Sequence, residues 1–210
     1  MTSPIPFPLP RAASVDLLRV SKVRARRSLL CSDIVGYTAL LSRLGDVAAL
    51  QIVRRHDAIV RACARAHAGD ELELRGDGFL MSFARRADAL ACAIDVQREL
   101  ARDRAEHGDG GVHVRIGLHT GDVLLERGRY FGLEVVVPFR LLDFAGADEI
   151  WVSGSLPEAT PGVRVSRAQD LELKGIPRPV RAYQVDWDAP PCMAVDDGFA
   201  QAGAAPCGQA

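Results

Sequence analysis

Two aspartates, Asp33 and Asp77, stand where a strand is expected to give way to a turn. Asp33 lies in Cys31-Ser32-Asp33-Ile34-Val35-Gly36-Tyr37-Thr38, and Asp77 in Leu74-Arg75-Gly76-Asp77-Gly78-Phe79. Carboxylates at strand ends can converge on one point, and a converging pair supplies the oxygen ligands that divalent cations take. The chemistry implied is metal-assisted reaction of a phosphorylated substrate. Period-2 alternation ahead of Asp77 puts Glu71, Glu73 and Arg75 on one strand face and Leu72 and Leu74 on the other. The apolar face is core. The charged face ends beside Asp77, so Glu73 and Arg75 are candidates to line the site, against the plainer alternative of a solvated face with an ion pair.

The elements that must hold these residues follow from pattern. Residues 28–34 read as a buried strand. Asp46 is placed to cap a helix running to about residue 66, with apolar positions at Val47, Leu50, Val53, Ile59, Val60 and Cys63. Strands 71–75 and 79–83 flank Gly76-Asp77-Gly78 as a hairpin. Ala87, Leu90, Ala91, Ile94 and Leu100 mark a second helix. Strands 112–119 and 122–126 around Thr120-Gly121 read as a second hairpin, and a third helix is expected over 135–144. Short strands are expected at 150–153, 171–173 and 180–185. Hairpins where a doubly wound fold has single strands point to the α+β class, a mostly antiparallel sheet with helices on one face.

The 210 residues suffice for one well-packed domain. Residues 1–27 read as an N-terminal arm, Pro-rich at its start and then a short helix with a basic end. Residues 28–187 form the compact domain, and 188–210 a flexible tail rich in Ala, Gly and Pro. A net charge of −1 and a basic cluster without interleaved aromatics argue against nucleic acid as a partner. Five cysteines without metal spacing, no leader and no apolar run long enough for a membrane helix place the expectation in the cytoplasm.

Further motifs follow in order: Val114-Arg115-Ile116-Gly117-Leu118-His119-Thr120-Gly121, Tyr130-Phe131-Gly132, Arg140-Leu141 and Leu173-Lys174-Gly175. Together with the two aspartate segments, this ordered set closely resembles the catalytic domain of the class III nucleotidyl cyclases, over roughly residues 28–186. The resemblance implies a ferredoxin-like cyclase core. It implies two divalent ions, Mn²⁺ or Mg²⁺, on Asp33, Asp77 and the carbonyl of Ile34. The ribose 3′-oxygen would attack the α-phosphorus of a nucleoside triphosphate and expel pyrophosphate. Backbone N–H groups near Gly36 and Tyr37 would cradle phosphate. Arg140 would stabilise charge on the α-phosphate, and Lys174 would contact the terminal phosphates. It also implies a homodimer with sites at the interface, the aspartates from one chain and the base-reading residues, Arg140 and Lys174 from the other.

Some positions depart from the family. Glu73 stands where adenylyl cyclases carry an adenine-reading lysine, Arg129 where they carry an aspartate or threonine, and Val136 where an asparagine orients the ribose. Cys31 replaces a common phenylalanine. Exchanging a donor to adenine for a carboxylate leaves acceptor facing acceptor, so ATP is disfavoured. Glu73 with Arg75 and Arg129 suits a pyrimidine, UTP before CTP. This combination resembles the stand-alone pyrimidine cyclases of bacterial anti-phage systems, whose product activates a companion effector. A guanylyl cyclase, on Glu73 alone, and a catalytically inactive cyclase homology domain acting as a regulatory module are the alternatives.

Overall fold

The computed structural model describes residues 23–108, 111–126, 129–154 and 163–188. Residues 1–22 of the expected arm and 189–210 of the expected tail lie outside them. Among the described residues a nine-stranded sheet runs in the order β2-β3-β1-β4-β6-β9-β7, with β5 on β4 and β8 on β9. The strands are β1 (Val23–Ile34), β2 (Asp70–Arg75), β3 (Gly78–Phe83), β4 (Val114–Glu126), β5 (Arg129–Phe131), β6 (Ile150–Ser153), β7 (Arg164–Val165), β8 (Gln169–Leu171) and β9 (Val180–Asp186). The helices are α1 (Tyr37–Leu44), α2 (Asp46–Ala66), α3 (Arg86–His107) and α4 (Leu133–Leu141). Every described strand pair is antiparallel except β4–β6, so the α+β class with a mostly antiparallel sheet holds.

The helices do not all share one face. Ile52 and Val60 of α2 and Leu90, Val96 and Leu100 of α3 pack on Leu30, Phe79, Met81, Ile116, Leu118 and Ile150. A buried leucine or valine is worth about 1.5–3 kcal/mol, so this layer is the main source of stability. The opposite face carries a smaller cluster in which Val137 and Leu141 of α4 meet Trp151, Leu171, Leu173 and Ala182. Strand alternation explains the split, because Gly117 turns away from the Ile116 side and admits α4. A Cβ on Gly117 would stand 2.1 Å from the carbonyl oxygen of Pro138.

Three local expectations are corrected. Residues 23–27, read as part of a helical arm, extend β1, because they pair with residues 121–125 of β4 (Val23 with Leu125, Arg27 with Gly121). Thr120-Gly121 is not a hairpin turn but the middle of β4, paired with Ser28 and Arg27. Its glycine answers to close approach, since a Cβ there would lie 2.1 Å from the Glu134 carboxylate. Gly45, not Asp46, occupies the N-cap of α2, with φ 75°, and it also closes α1 through its N–H to the Leu41 carbonyl at 2.9 Å. Asp46 falls in the first turn, where its charge meets the helix dipole.

Candidate active site

Asp33 is the penultimate residue of β1 and Asp77 sits in the turn between β2 and β3. The turn closes tightly on β1, because Gly78 leaves no room for a side chain: a Cβ there would be 2.4 Å from the Ser32 carbonyl oxygen. This approach brings the two carboxylates together. The Asp77 carboxyl is pushed above its ordinary value first by burial and then by the charge of Asp33, against hydrogen bonds from its own N–H and that of Ile34. The expected trio Asp33, Ile34 and Asp77 is therefore one cluster.

Arg115 joins it. Asp33 and Arg115 face each other across β1 and β4. The guanidinium donates to Asp33 Oδ2 from Nε at 3.0 Å and from a terminal nitrogen at 2.6 Å, and to the Leu142 carbonyl, just past α4, at 3.1 Å. No role for Arg115 was read from sequence. Its signal was there, as the one charged Asp, Glu, Lys or Arg between Val112 and Leu118.

Arg140 and Lys174 form a second group. Arg140 Nε donates to the Lys174 carbonyl oxygen at 3.0 Å. Lys174 lines a cavity of about 360 Å³ together with Leu173, Ile176 and Arg178. No hydrogen bond or ion pair among the described residues joins this group to Asp33 or Asp77. Gly36 is the N-cap of α1 at φ 73° and makes no side-chain cap, so the N–H groups of the first turn, from Tyr37 onward, face out of the helix end.

The strand before Asp77 differs from expectation. A β-bulge lies between Glu71 and Glu73: Glu71 pairs with Met81, but Glu73 pairs with Leu80. Glu71 therefore shares the Met81 face, where Arg61 of α2 grips it with bonds of 2.8 and 3.1 Å. Glu73 shares the opposite face with Leu80, and through Cys31 with Asp33. So Glu71 and Glu73 do not share a face, as strict alternation required. Arg75 pairs with Gly78 at the end of β2, and its side chain lies outside the described residues. Arg129 is exposed on β5 with its guanidinium 5.6 Å from the Phe131 ring centre. Its neighbour Tyr130 pairs with Leu125, which pairs with Val23, so β5 lies by the start of β1, at the far end from Asp33.

A third cluster was not anticipated. His119 of β4 bonds through Nδ1 to Ser153 Oγ of β6 and through Nε2 to the Glu134 carboxylate of α4.

Two carboxylates, at the end of β1 and in the β2–β3 turn, with an arginine and the N-terminus of α1 beside them, make an arrangement able to hold cations and phosphate oxygens. The match to the adenylate and guanylate cyclase catalytic domain over residues 21–186 settles the class, and the chain belongs to that family. It is 28% identical to putative adenylate cyclase 3 of Rhizobium meliloti (strain 1021) over 166 residues, which are 76% of this chain and 28% of that protein. An uncharacterized protein of Mycobacterium tuberculosis (strain ATCC 25618 / H37Rv) is 32% identical over 115 residues, covering 52% of this chain and 38% of that protein. The chain spans less than half the length of these curated relatives. The fold matches the guanylyl cyclase Cya2 with a TM-score of 0.70 at 23% identity, covering 83% of this chain and 97% of that one. It matches the adenylyl cyclase CyaB from P. aeruginosa with a TM-score of 0.66 at 22% identity, covering 78% and 95%. At these identities the likeness speaks for the fold and not for the base.

The family works with divalent metal ions. The donor set here fits one: two neighbouring carboxylates, that of Asp77 disfavoured in its ionised form by burial and then by Asp33, with the backbone of Ile34 beside them. Among the described residues no group of three or more His, Cys, Asp or Glu side chains gathers to hold an ion. Backbone and substrate oxygens would have to complete the coordination. No helix among the described residues is long and apolar enough to cross a membrane.

Proposed function

We propose that the chain is an active nucleotidyl cyclase that works as a homodimer and takes a pyrimidine nucleoside triphosphate, UTP before CTP. The observation that carries the activity is the approach of Asp77 to Asp33, enforced by Gly78. Divalent ions bound there would supply charge neutralisation of the triphosphate and acidification of the 3′-hydroxyl. The chain's own part is to orient. Arg115 offers donors beside Asp33, and the first-turn N–H groups of α1 receive phosphate oxygens. Arg140 meets charge growing on the α-phosphate, and Lys174 the terminal phosphates.

The lack of a direct bond between the two groups among the described residues supports the dimer. Arg140 and Lys174 form one group and Asp33 and Asp77 another, with Arg129 by the far end of β1. A two-fold axis brings one chain's carboxylates to the other chain's cations. For the base, Glu73 is exposed on β2, and in the dimer it faces the nucleotide held at the partner subunit's carboxylates. A carboxylate there accepts from N3–H of uracil or the amino group of cytosine, with Arg129 left to donate. The cyclic product then acts on a separate effector, as in anti-phage signalling.

Glu73 also favours a second reading, since a carboxylate accepts from N1–H and the 2-amino group of guanine. One incubation separates the readings: purified protein with Mn²⁺ and each of ATP, GTP, CTP and UTP, products identified by mass spectrometry. A cyclic pyrimidine supports the proposal. Cyclic GMP alone replaces the base assignment, and no product from a folded dimer leaves a regulatory module.

A further inference from the structure

We propose that His119 is a positioning residue for Arg140: its contacts with Ser153 and Glu134 lock the first turn of α4 to the sheet and so set where the last turn presents its guanidinium. The proposal rests on the cyclase reading of Arg140.

Helix α4 has little means of fixing itself. It has nine residues, fewer than the roughly 12–15 an isolated helix needs to persist in water. Pro138 lies inside it and has no N–H to give the Glu134 carbonyl, so α4 lacks one rung and its orientation as a unit depends on anchors to the sheet. Two anchor points, a pivot at one end and a tether at the other, fix the direction of the whole helix. The last turn sits where Pro138 and Leu141 close over Gly117. The first turn is held by Glu134, which reaches His119 in the space left by Gly121. Behind the imidazole, Ser153 is only 1% exposed and its Oγ closes the relay onto β6.

A neutral imidazole satisfies this relay completely. Nε2–H donates to the Glu134 carboxylate, and the Ser153 hydroxyl donates to Nδ1. The charged groups that act on His119 are Glu134 of α4, Arg26 of β1 and Arg86 of α3. Burial outweighs the pull of Glu134 and holds His119 below the usual histidine range, hence neutral at neutral pH. In acid, Nδ1 becomes a donor, and the Ser153 proton must turn away from a partner it no longer has.

The test compares the wild-type protein with His119→Phe and Glu134→Gln, and with Val152→Ala, a buried packing change beside Ser153, as a stability control. The readouts are kcat, KM and their pH dependence with whichever triphosphate is turned over, the melting temperature, and the imidazole ¹⁵N shifts. His119→Phe is expected to lower kcat about tenfold or more, because small misplacements of a charge-stabilising group cost that much, with KM within about twofold. Glu134→Gln keeps an acceptor for Nε2–H and should retain most of kcat. The acid limb of kcat should be present in the wild type and absent from His119→Phe. The ¹⁵N shifts should report a neutral, Nε2-protonated ring at pH 7.5. A His119→Phe loss no larger than that of Val152→Ala at matched melting temperature overturns the proposal, as does a rise in KM alone or an Nδ1-protonated ring. If the wild type turns over no triphosphate, the cyclase reading fails by itself. The relay is then judged by the ring tautomer, and an Nδ1-protonated ring overturns it.

Discussion

Asp77 carries a charge that its surroundings resist. Burial and the neighbouring Asp33 both raise its proton affinity, so the ionised form is less favourable folded than unfolded. For a carboxyl raised in the fold, the contribution to stability is present below its unfolded value near 3.8 and is lost as pH rises through the folded one. At neutral pH the metal-free protein therefore bears a cost at this position. Asp77→Asn should raise the melting temperature without divalent ions while abolishing cyclisation. Mn²⁺ should raise the melting temperature of the wild type and not of the variant, as differential scanning fluorimetry would read. Arg115 has the opposite role, since it neutralises Asp33 through two donors on one oxygen. Both side chains are partly exposed, so Arg115→Gln should cost only about 1 kcal/mol. It should tighten Mn²⁺ binding in the absence of nucleotide, because a competing cation is gone, and raise KM for the triphosphate. Calorimetric titration and steady-state kinetics check the pair of outcomes.

Elements, not isolated residues, decide whether those side chains meet, and the glycines of β4 show how. Gly117→Ala would place a methyl 2.1 Å from the Pro138 carbonyl oxygen and 3.1 Å from Leu141 Cβ. Overpacking of this kind costs about 1–3 kcal/mol, and α4 must lift to accommodate it. Denaturant unfolding should show the loss, with kcat falling further than stability alone predicts. Acid should act on the same layer. His119 is lowered in the fold, so its contribution is present above the unfolded value near 6.5 and is lost as pH falls below it through the folded one. The wild type should lose stability over that window more steeply than His119→Phe. The sequence made Gly76-Asp77-Gly78 legible, because a turn between two apolar runs has a local signature. It made Thr120-Gly121 look like the same thing, and there the reading failed. The cause of that glycine is Glu134, a residue thirteen positions later on another element. The bulge at Glu71 and Glu73 was hidden for a similar reason. Alternation is a property of one strand, whereas a bulge is set by the register with its neighbour. The pairing of Asp33 with Arg115 likewise appears only once β1 and β4 are aligned.

At the scale of the whole molecule, no direct hydrogen bond or ion pair among the described residues joins Arg140 or Lys174 to Asp33 or Asp77. Asp33 and Asp77 lie at the end of β1 and in the neighbouring turn, and Arg140, in the last turn of α4, is held to the Lys174 carbonyl. If the groups meet across a two-fold axis, each site borrows one group from each chain, and damage to one group can be complemented by a chain damaged in the other. Asp77→Asn and Arg140→Ala should each be inactive as homodimers while folding and dimerising normally. Unfolded, refolded and mixed in equal amounts, the two should recover activity. Random pairing makes half of the dimers mixed, and each mixed dimer holds one intact site of two, so the recovered rate should be about a quarter of the wild type. If each site were built within one chain, every site in the mixture would still carry a defect and the rate would stay at background. Light scattering on the same samples gives the stoichiometry. A monomer that is nonetheless active would remove the interface from the proposal and require Arg140 and Lys174 to reach Asp33 and Asp77 within one chain.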